Sequence, residues 1–400
     1  GLAEMMNSYG VIHNDAEVVS KIVASQAHHK KIDGHAPGLQ GKDLDTYVAA
    51  GVYSDHECAT MEDALAKLQR GQFIMIREGT AARNLEALAP LLTPQYAERC
   101  MFCTDDKHPS DLLEKGHIDY IAREAINKYG VDPIIAVKAA CHHASRYFLL
   151  NNRGAIAPGY LADFAVIDNF KDFNVEMVFK KGVLYWNNGE LRDFDAPQIE
   201  EYLDKRAHDT FHVATLTPDD FRDTRQRGVL GMVPGEIITT DNGYADHVDL
   251  EKDILKIAVV ERHKGTHHIG LGYIQGYGLR SGAVATSISH DSHNIIVVGT
   301  NSADMAFAAN YIVEHHGGIV VVENGVVKGS VVLEIAGIMS DRPLTEVNDQ
   351  LEAAKDAAFT LGVSRGIDPF MTLSFMALPV IPKLRITTRG VVDVDTQQYV

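Results

Sequence analysis

The 400-residue chain is poor in cysteine and tryptophan, carries fewer basic than acidic residues, and contains no long apolar run. Its four cysteines, Cys58, Cys100, Cys103 and Cys141, are too few and too irregularly spaced for a disulfide framework, which fits a reducing compartment. Cys100 and Cys103 form a lone C-x-x-C with no second pair to complete a zinc site, so both are expected as small buried strand residues. No stretch approaches the roughly 18 consecutive apolar residues of a membrane span, and the first residues show no signal-peptide pattern; a soluble, cytoplasmic protein is expected. Lysine and arginine number 37 against 54 acidic residues, a formal net charge of -17 with no basic stripe to offset it locally. Such a chain repels phosphate backbones, which argues against nucleic acid and favours a small neutral or cationic ligand.

Forty-six per cent of the residues are apolar, enough for a large core and for two or three domains. Within the first 150 residues, acidic and histidine residues stand at the ends of short apolar runs: Glu4, His35, His56, Arg77-Glu78 and Asp105-Asp106. The gaps of 31, 21, 21 and 28 residues are each about one strand plus one helix, the repeat of a (β/α) barrel. In such a barrel the carboxyl ends of the strands share one pocket, and carboxylates and imidazoles converging there suggest a metal site. Helices are expected over Ala16 to Lys31, Gly41 to Ala50, Met61 to Arg70, Asp111 to Lys128 and Asp132 to about Leu150. The continuous apolar run Phe73 to Ile76 suits a parallel strand buried on both faces. Glycine and proline flank His35 in Asp33-Gly34-His35-Ala36-Pro37-Gly38, a setting that stops regular structure and favours a ligand role.

The fold class expected is α/β: the later strands of a (β/α)8 metal-dependent hydrolase barrel in residues 1–150, a small β portion in 151–192, a polar linker in 193–226, and an α+β domain in 227–400. The small β portion is read from runs at 154–159, 162–167 and 175–179. In the last domain, strands are expected at Ile254 to Val260, Ile295 to Val298 and Gly318 to Val322, the last closing a hairpin at Glu323-Asn324-Gly325. Helices are expected at Ala303 to His315 and Leu344 to Leu361. The pairs His28-His29, His142-His143, His267-His268 and His315-His316 are expected at the surface. Gly270-x-Gly272 and Gly276-x-Gly278 lack the G-x-G-x-x-G spacing and the following helix of a dinucleotide loop.

Four segments carry a resemblance. Gly1-Leu2-Ala3-Glu4-Met5-Met6, Asp33 to Gly38, Ile76-Arg77-Glu78-Gly79-Thr80-Ala81-Ala82-Arg83-Asn84 and Cys103-Thr104-Asp105-Asp106 are similar to signatures of the bacterial adenine deaminases of the amidohydrolase superfamily. Ser289-His290-Asp291-Ser292-His293-Asn294 and Leu378-Pro379-Val380-Ile381-Pro382 extend the resemblance to the carboxyl-terminal domain. It implies hydrolysis of adenine to hypoxanthine and ammonia by a metal-activated hydroxide. By resemblance Glu4 bridges two metals, His35 and His56 bind one of them, and Asp105 is metal ligand and proton shuttle. The implied cofactor is a binuclear divalent centre, manganese first, with iron or zinc as alternatives because oxygen and nitrogen donors do not choose among them. The zinc chemistry of His-x-Glu with Pro-Cys-x-x-Cys is absent.

Other roles stay open at this level. Arg77, Glu78 and Arg83 either read the purine edge or form an ion pair that fixes their loop. Glu57 either contacts substrate or orients a ligand. Asp106, expected to point away from Asp105 if strand alternation persists, either joins the site or caps the following loop. His290, Asp291 and His293 have ligand-like spacing and are set against ordinary loop packing. The partners expected are a small-molecule substrate and further copies of the chain in a homo-oligomer, for example a dimer.

The family begins with a β domain and three further barrel strands bearing a His-x-His pair, and only five strand ends precede Leu150. The expectation is therefore an incomplete barrel that requires the amino-terminal part of the same enzyme, whether cleaved, unrecorded or supplied by another chain. Its open strand edges would be prone to aggregation, and an intact mass near 43.9 kDa with no companion fragment would count against this reading. Two readings compete: another amidohydrolase acting on a cyclic amide or imide, and a non-catalytic truncated remnant that binds less than one metal per chain.

Overall fold

The computed structural model describes every residue except 81, 195–196, 224 and 234–235; Ala81 of the Ile76 to Asn84 motif and three positions of the expected linker thus lie outside the described residues. The chain divides into two compact units, Gly1–Ala196 and Pro197–Val400.

Short apolar runs that each end in a polar residue can become parallel strands only if helices return the chain, and the first unit is built this way. Strands β1 (Leu2–Met5) and β2 (Ile32–Gly34) pair in parallel, as do β3 (Ser54–Asp55), β4 (Phe73–Arg77) and β5 (Cys100–Cys103). The two groups are joined where Tyr53 N–H donates to Ile32 C=O at 2.9 Å and Gly34 N–H to the Ser54 hydroxyl at 3.4 Å. Five parallel strands therefore follow one another in chain order, as part of a barrel does. Gly34 is required at this seam, because a Cβ there would lie 2.2 Å from Ser54 C=O.

The returning helices form where amphipathic stripes and caps coincide. Ala16–Ala27 is capped by the Asp15 carboxylate and Met61–Gln69 by the Thr60 hydroxyl, and Gly41–Ala49 buries Leu44 and Tyr47. The single helix expected from Asp111 to Lys128 is instead two, Pro109–Glu114 and Ile118–Asn127. They part at Gly116, φ +99°, after which the Asp119 carboxylate accepts His117 N–H and restarts the chain. The Asp132 carboxylate caps the next helix, Pro133–Val137, which passes through a π-helical turn at Lys138–His142 into His143–Tyr147. His143, expected at the surface, is buried with Nδ1 2.9 Å from Cys100 C=O.

Residues 154–159, expected as a strand, make turns around Gly154 and Gly159, both at positive φ. The small antiparallel sheet starts later, with β6 (Phe164–Ile167), β7 (Val175–Lys180), β8 (Val183–Asn187) and β9 (Glu190–Leu191) in chain order. Phe164 and Phe179 stack across it with ring centroids 4.6 Å apart. The stretch expected as a linker holds the helix Glu201–His208 and a 3-10 turn, Pro218–Phe221, whose Phe221 is fully buried among second-unit residues.

The second unit is centred on an eight-stranded sheet. Its strands are β10 (Arg227–Met232), β11 (Thr239–Ala245), β12 (Ile254–Val260), β13 (Ile269–Gln275), β14 (Ala283–Thr286), β15 (Ile295–Gly299), β16 (Gly318–Glu323) and β17 (Val326–Val332), in the order β11-β10-β13-β12-β15-β14-β16-β17. Among the described residues of this sheet only the β10–β13 pair is parallel. Alternation assigns the two faces: Leu255, Ile257 and Val259 pack under the helices Leu344–Thr360 and Pro369–Phe375, while Ala258 and Val260 pack under Ser302–Glu314. Because both faces are covered, these strands read as continuous apolar runs. A small sheet of β18 (Leu384–Thr387), β19 (Gly390–Asp393) and β20 (Gln398–Tyr399) lies against β13. Gly270 and Gly272 serve that contact and not a nucleotide, since a Cβ on Gly270 would sit 1.8 Å from Thr387 C=O and one on Gly272 2.4 Å from Val391. Among the described residues no helix is long and apolar enough to cross a membrane.

Candidate metal centre

At the carboxyl ends of β1 to β5 the polar residues of the five strand ends meet. His56 Nε2 lies 3.0 Å from Glu4 Oε2, 3.2 Å from Glu57 Oε1 and 3.8 Å from Asp105 Oδ2. His35 Nδ1 lies 3.5 Å from Glu4 Oε1 and 3.7 Å from Glu57 Oε1, and the two imidazole centroids are 5.5 Å apart in an edge-on arrangement. The Arg77 guanidinium at the end of β4 donates to both the Glu57 and Asp105 carboxylates. Two overlapping sets, Glu4-His35-His56 and His56-Glu57-Asp105, have ligand atoms close enough to share one ion.

Electrostatics favours a cation at this point. Three carboxylates face one guanidinium, so negative charge is in excess while the imidazoles are neutral. Burial disfavours charge on His56, but the hydrogen bonds and charges of Glu4 and Glu57 outweigh it and raise its pKa to about 10. Burial likewise opposes charge on Glu4 and Glu57, yet the imidazoles hold Glu4 well below the usual carboxylate range, and His56 with Arg77 lowers Glu57 to about 2. The buried His35 Nδ1 has no hydrogen-bond partner of good geometry among the described residues, the state expected of a nitrogen reserved for a ligand. The donor set is nitrogen and oxygen without thiolate, which suits a divalent first-row metal.

The supporting contacts come from residues that the sequence pattern does not mark. Tyr47 donates its hydroxyl to Met5 C=O at 2.5 Å and accepts His35 N–H at 3.0 Å, tying the end of β1 to the end of β2. Asn84 accepts Arg77 N–H at 2.6 Å and donates to His56 C=O and Cys58 C=O, each at 3.1 Å. Tyr47 lies in a helical stripe and reads as core, and Asn84 follows a charged loop with no signal beyond its place in a motif.

Several expectations are altered here. Arg77 is 8% exposed and is engaged by the carboxylates of Glu57 and Asp105 from other strand ends, not by Glu78 of its own loop. Glu57 belongs to the cluster itself. Glu78 is held above its usual pKa by burial and lies 3.9 Å from Arg83, which also donates to Gly79 C=O and Thr80 C=O. Asp105 takes φ 54°, so the strand alternation that was to turn Asp106 away ends before it; Asp106 C=O accepts Thr80 N–H and fastens the loops after β4 and β5 together. Cys100 and Cys103 stand in β5 and belong to no metal-type group among the described residues; burial raises both thiols, Cys100 to about 12. His290, Asp291 and His293 lie in the second unit, where His290 stacks on Phe375 and pairs with Asp291, and they form no metal-type group among the described residues.

Residues 2–185 match the amidohydrolase family and residues 236–398 the adenine deaminase C-terminal domain. The chain is 45% identical to an adenine deaminase of Desulfatibacillum aliphaticivorans, an alignment covering 100% of this chain and 71% of that protein. It is 44% identical to an adenine deaminase of Dehalococcoides mccartyi, covering 99% and 70%. Among solved structures, a β-aspartyl dipeptidase of Fervidobacterium islandicum AW-1 is similar at 18% identity and a TM-score of 0.35, over 45% of this chain and 54% of that one, too loosely to bear on the site.

Proposed function

As a member of the adenine deaminase family, the chain carries a metal-dependent hydrolase centre, and we propose that it deaminates adenine to hypoxanthine and ammonia. The observation that carries this reading is the convergence of Glu4, His35, His56 and Asp105 from four separate strand ends in a chain matched along its whole length to adenine deaminases. The metal is divalent, and manganese is the identity proposed, held by Glu4, His35 and His56 with Asp105 beside them. When bound it supplies a water ionised at a pH where free water, with a pKa of about 15.7, is not.

The chain's own residues carry the remaining work. His35 and His56, with side chains only 12% and 10% exposed, hold their nitrogens toward Glu4. Asp105 holds the travelling proton. Arg77 and Asp106 N–H each occupy one lone pair of its carboxylate, leaving a second on each oxygen to accept from the attacking water and return to the departing amine. Arg77 thereby orients both Glu57 and Asp105, while Glu78 and Arg83, on the adjoining loop, are proposed to face the purine. The subunit is proposed to work as a homo-oligomer.

Release of hypoxanthine from adenine, with Mn2+ added to protein of verified mass, is the deciding assay. Turnover of adenine with none of dihydroorotate or hydantoin is expected. Turnover of a cyclic amide in its place would assign the site to another amidohydrolase, and no turnover with less than one tightly bound metal per chain would indicate a remnant.

A further inference from the structure

Beside the candidate centre lies an ion pair entirely removed from solvent: the Asp55 and Lys67 side chains are both 0% exposed. Buried pairs are poor sources of stability because desolvation offsets their attraction, so the contacts made by this one are informative. Asp55 Oδ1 accepts Ala36 N–H at 2.8 Å; Oδ2 accepts Glu57 N–H at 2.9 Å, the Lys67 ammonium at 3.0 Å and the Cys58 thiol at 3.2 Å. Lys67 Nζ spends its three donors on Ala36 C=O at 2.8 Å, on Asp55 Oδ2, and on Asp63 Oδ2 at 3.0 Å.

Ala36 directly follows His35, and Glu57 directly follows His56. The pair therefore grips one loop at both the N–H and C=O of the residue after the first imidazole, and the other loop at the N–H of the residue after the second. Apart from the Asp63 carboxylate and the Cys58 thiol, every bond it makes runs to one of these two loops. The Asp55–Glu57 bond is a local turn within the second loop, whereas both bonds to Ala36 cross from one imidazole-bearing turn to the other and so tie the two together.

We propose that Asp55 and Lys67 are positioning residues that preset the separation of His35 and His56, so that a divalent metal binds without having to order the two loops. The inference rests on the metal-centre reading above. Its test is Mn2+ titration of the metal-free full chain, read by equilibrium dialysis and metal analysis, for the wild type, Lys67→Met, the isosteric Asp55→Asn and Asp63→Asn, with circular dichroism and chelated-state melting recorded for each.

Lys67→Met and Asp55→Asn are expected to keep the wild-type dichroism and to bind Mn2+ about 10–100-fold more weakly, the usual effect of losing a group that orients metal ligands. Asp63→Asn leaves the Ala36 and Glu57 contacts in place and should stay within about threefold of wild type. Wild-type Mn2+ affinity in folded Lys67→Met or Asp55→Asn overturns the proposal, as does an equal loss in Asp63→Asn. Failure of the wild type itself to bind Mn2+ overturns the metal reading and this inference with it, an outcome distinct from the other two.

Discussion

At the scale of single residues, the centre depends on what each side chain is left to do. His35 Nδ1 and the excess of carboxylate over guanidinium both call for a cation, so His35→Ala or Glu4→Gln should reduce bound Mn2+ to below one ion per chain while the far-ultraviolet dichroism stays unchanged. Metal analysis after gel filtration checks this. Gly34 is a different case, because its task is to let two strands approach. Gly34→Ala would drive a methyl group into Ser54 C=O, and a loss of about 1–3 kcal/mol in urea unfolding is expected, with weaker Mn2+ binding as the His35 loop shifts. The candidate site residues legible in the sequence were those with a chemical signature at a strand end: Glu4, His35, His56 and Asp105. Tyr47, Asn84 and Lys67 were not, because a tyrosine in an apolar stripe, an asparagine in a loop and a lysine on a helix have common structural uses. Only their three-dimensional partners distinguish them.

At the scale of elements, two loops of the second unit yield separate tests. The β16–β17 hairpin turns through Asn324 and Gly325, both at positive φ, and the Asp304 carboxylate accepts the N–H groups of both. Gly325→Val puts a β-branched residue at φ +69° and should cost roughly 1–2 kcal/mol in denaturant unfolding, more than the same change at an extended exposed position. The turn after β12 is held by Glu261, whose carboxylate accepts N–H from His263, Lys264 and Thr266. Burial works against its charge, but these bonds and the Thr266 hydroxyl win and lower its pKa from 4.5 to about 2. A carboxylate with a depressed folded pKa contributes stability that is fully present above 4.5 and is lost as pH falls toward 2. Glu261→Gln should therefore be destabilising at pH 7 and converge on the wild type near pH 2, as followed by urea midpoints across that range. Elements with a strong period or a cap, such as Ala16–Ala27 and Pro133–Val137, were legible in the sequence. The break at Gly116 and the strand β8 were not, since the first lies within a helical pattern and the second takes its partners from β7 and β9.

At the scale of the whole molecule, the two units bury their cores independently and should respond differently to metal. The sole tryptophan, Trp186, lies in β8 of the first unit and reports on that unit. Mn2+ at about 100 times its dissociation constant should stabilise the transition seen by Trp186 fluorescence by about 2.7 kcal/mol, and chelator should abolish the gain. A Trp186 transition unmoved by Mn2+ would contradict a metal site at Glu4, His35 and His56. In the second unit, Ile257→Ala empties a position shared by the central strand β12 and the helices above it. A loss of about 2–5 kcal/mol is expected in denaturant unfolding of the chelated protein.

The sequence by itself determined the alternation of strand and helix in the first unit, the chemical nature of the residues at the strand ends and the family to which they are similar. Each of these is written locally, in apolar period, capping residues and side-chain chemistry. Tertiary structure alone decided that Glu57 joins the ligand cluster, that Arg77 is spent on two carboxylates, and that a buried lysine and aspartate hold both imidazole loops. These outcomes depend on which side chains meet after the strands align, and contacts such as His56 to Glu4 at 3.0 Å and Lys67 to Ala36 C=O at 2.8 Å, between residues far apart in the chain, have no trace in local pattern.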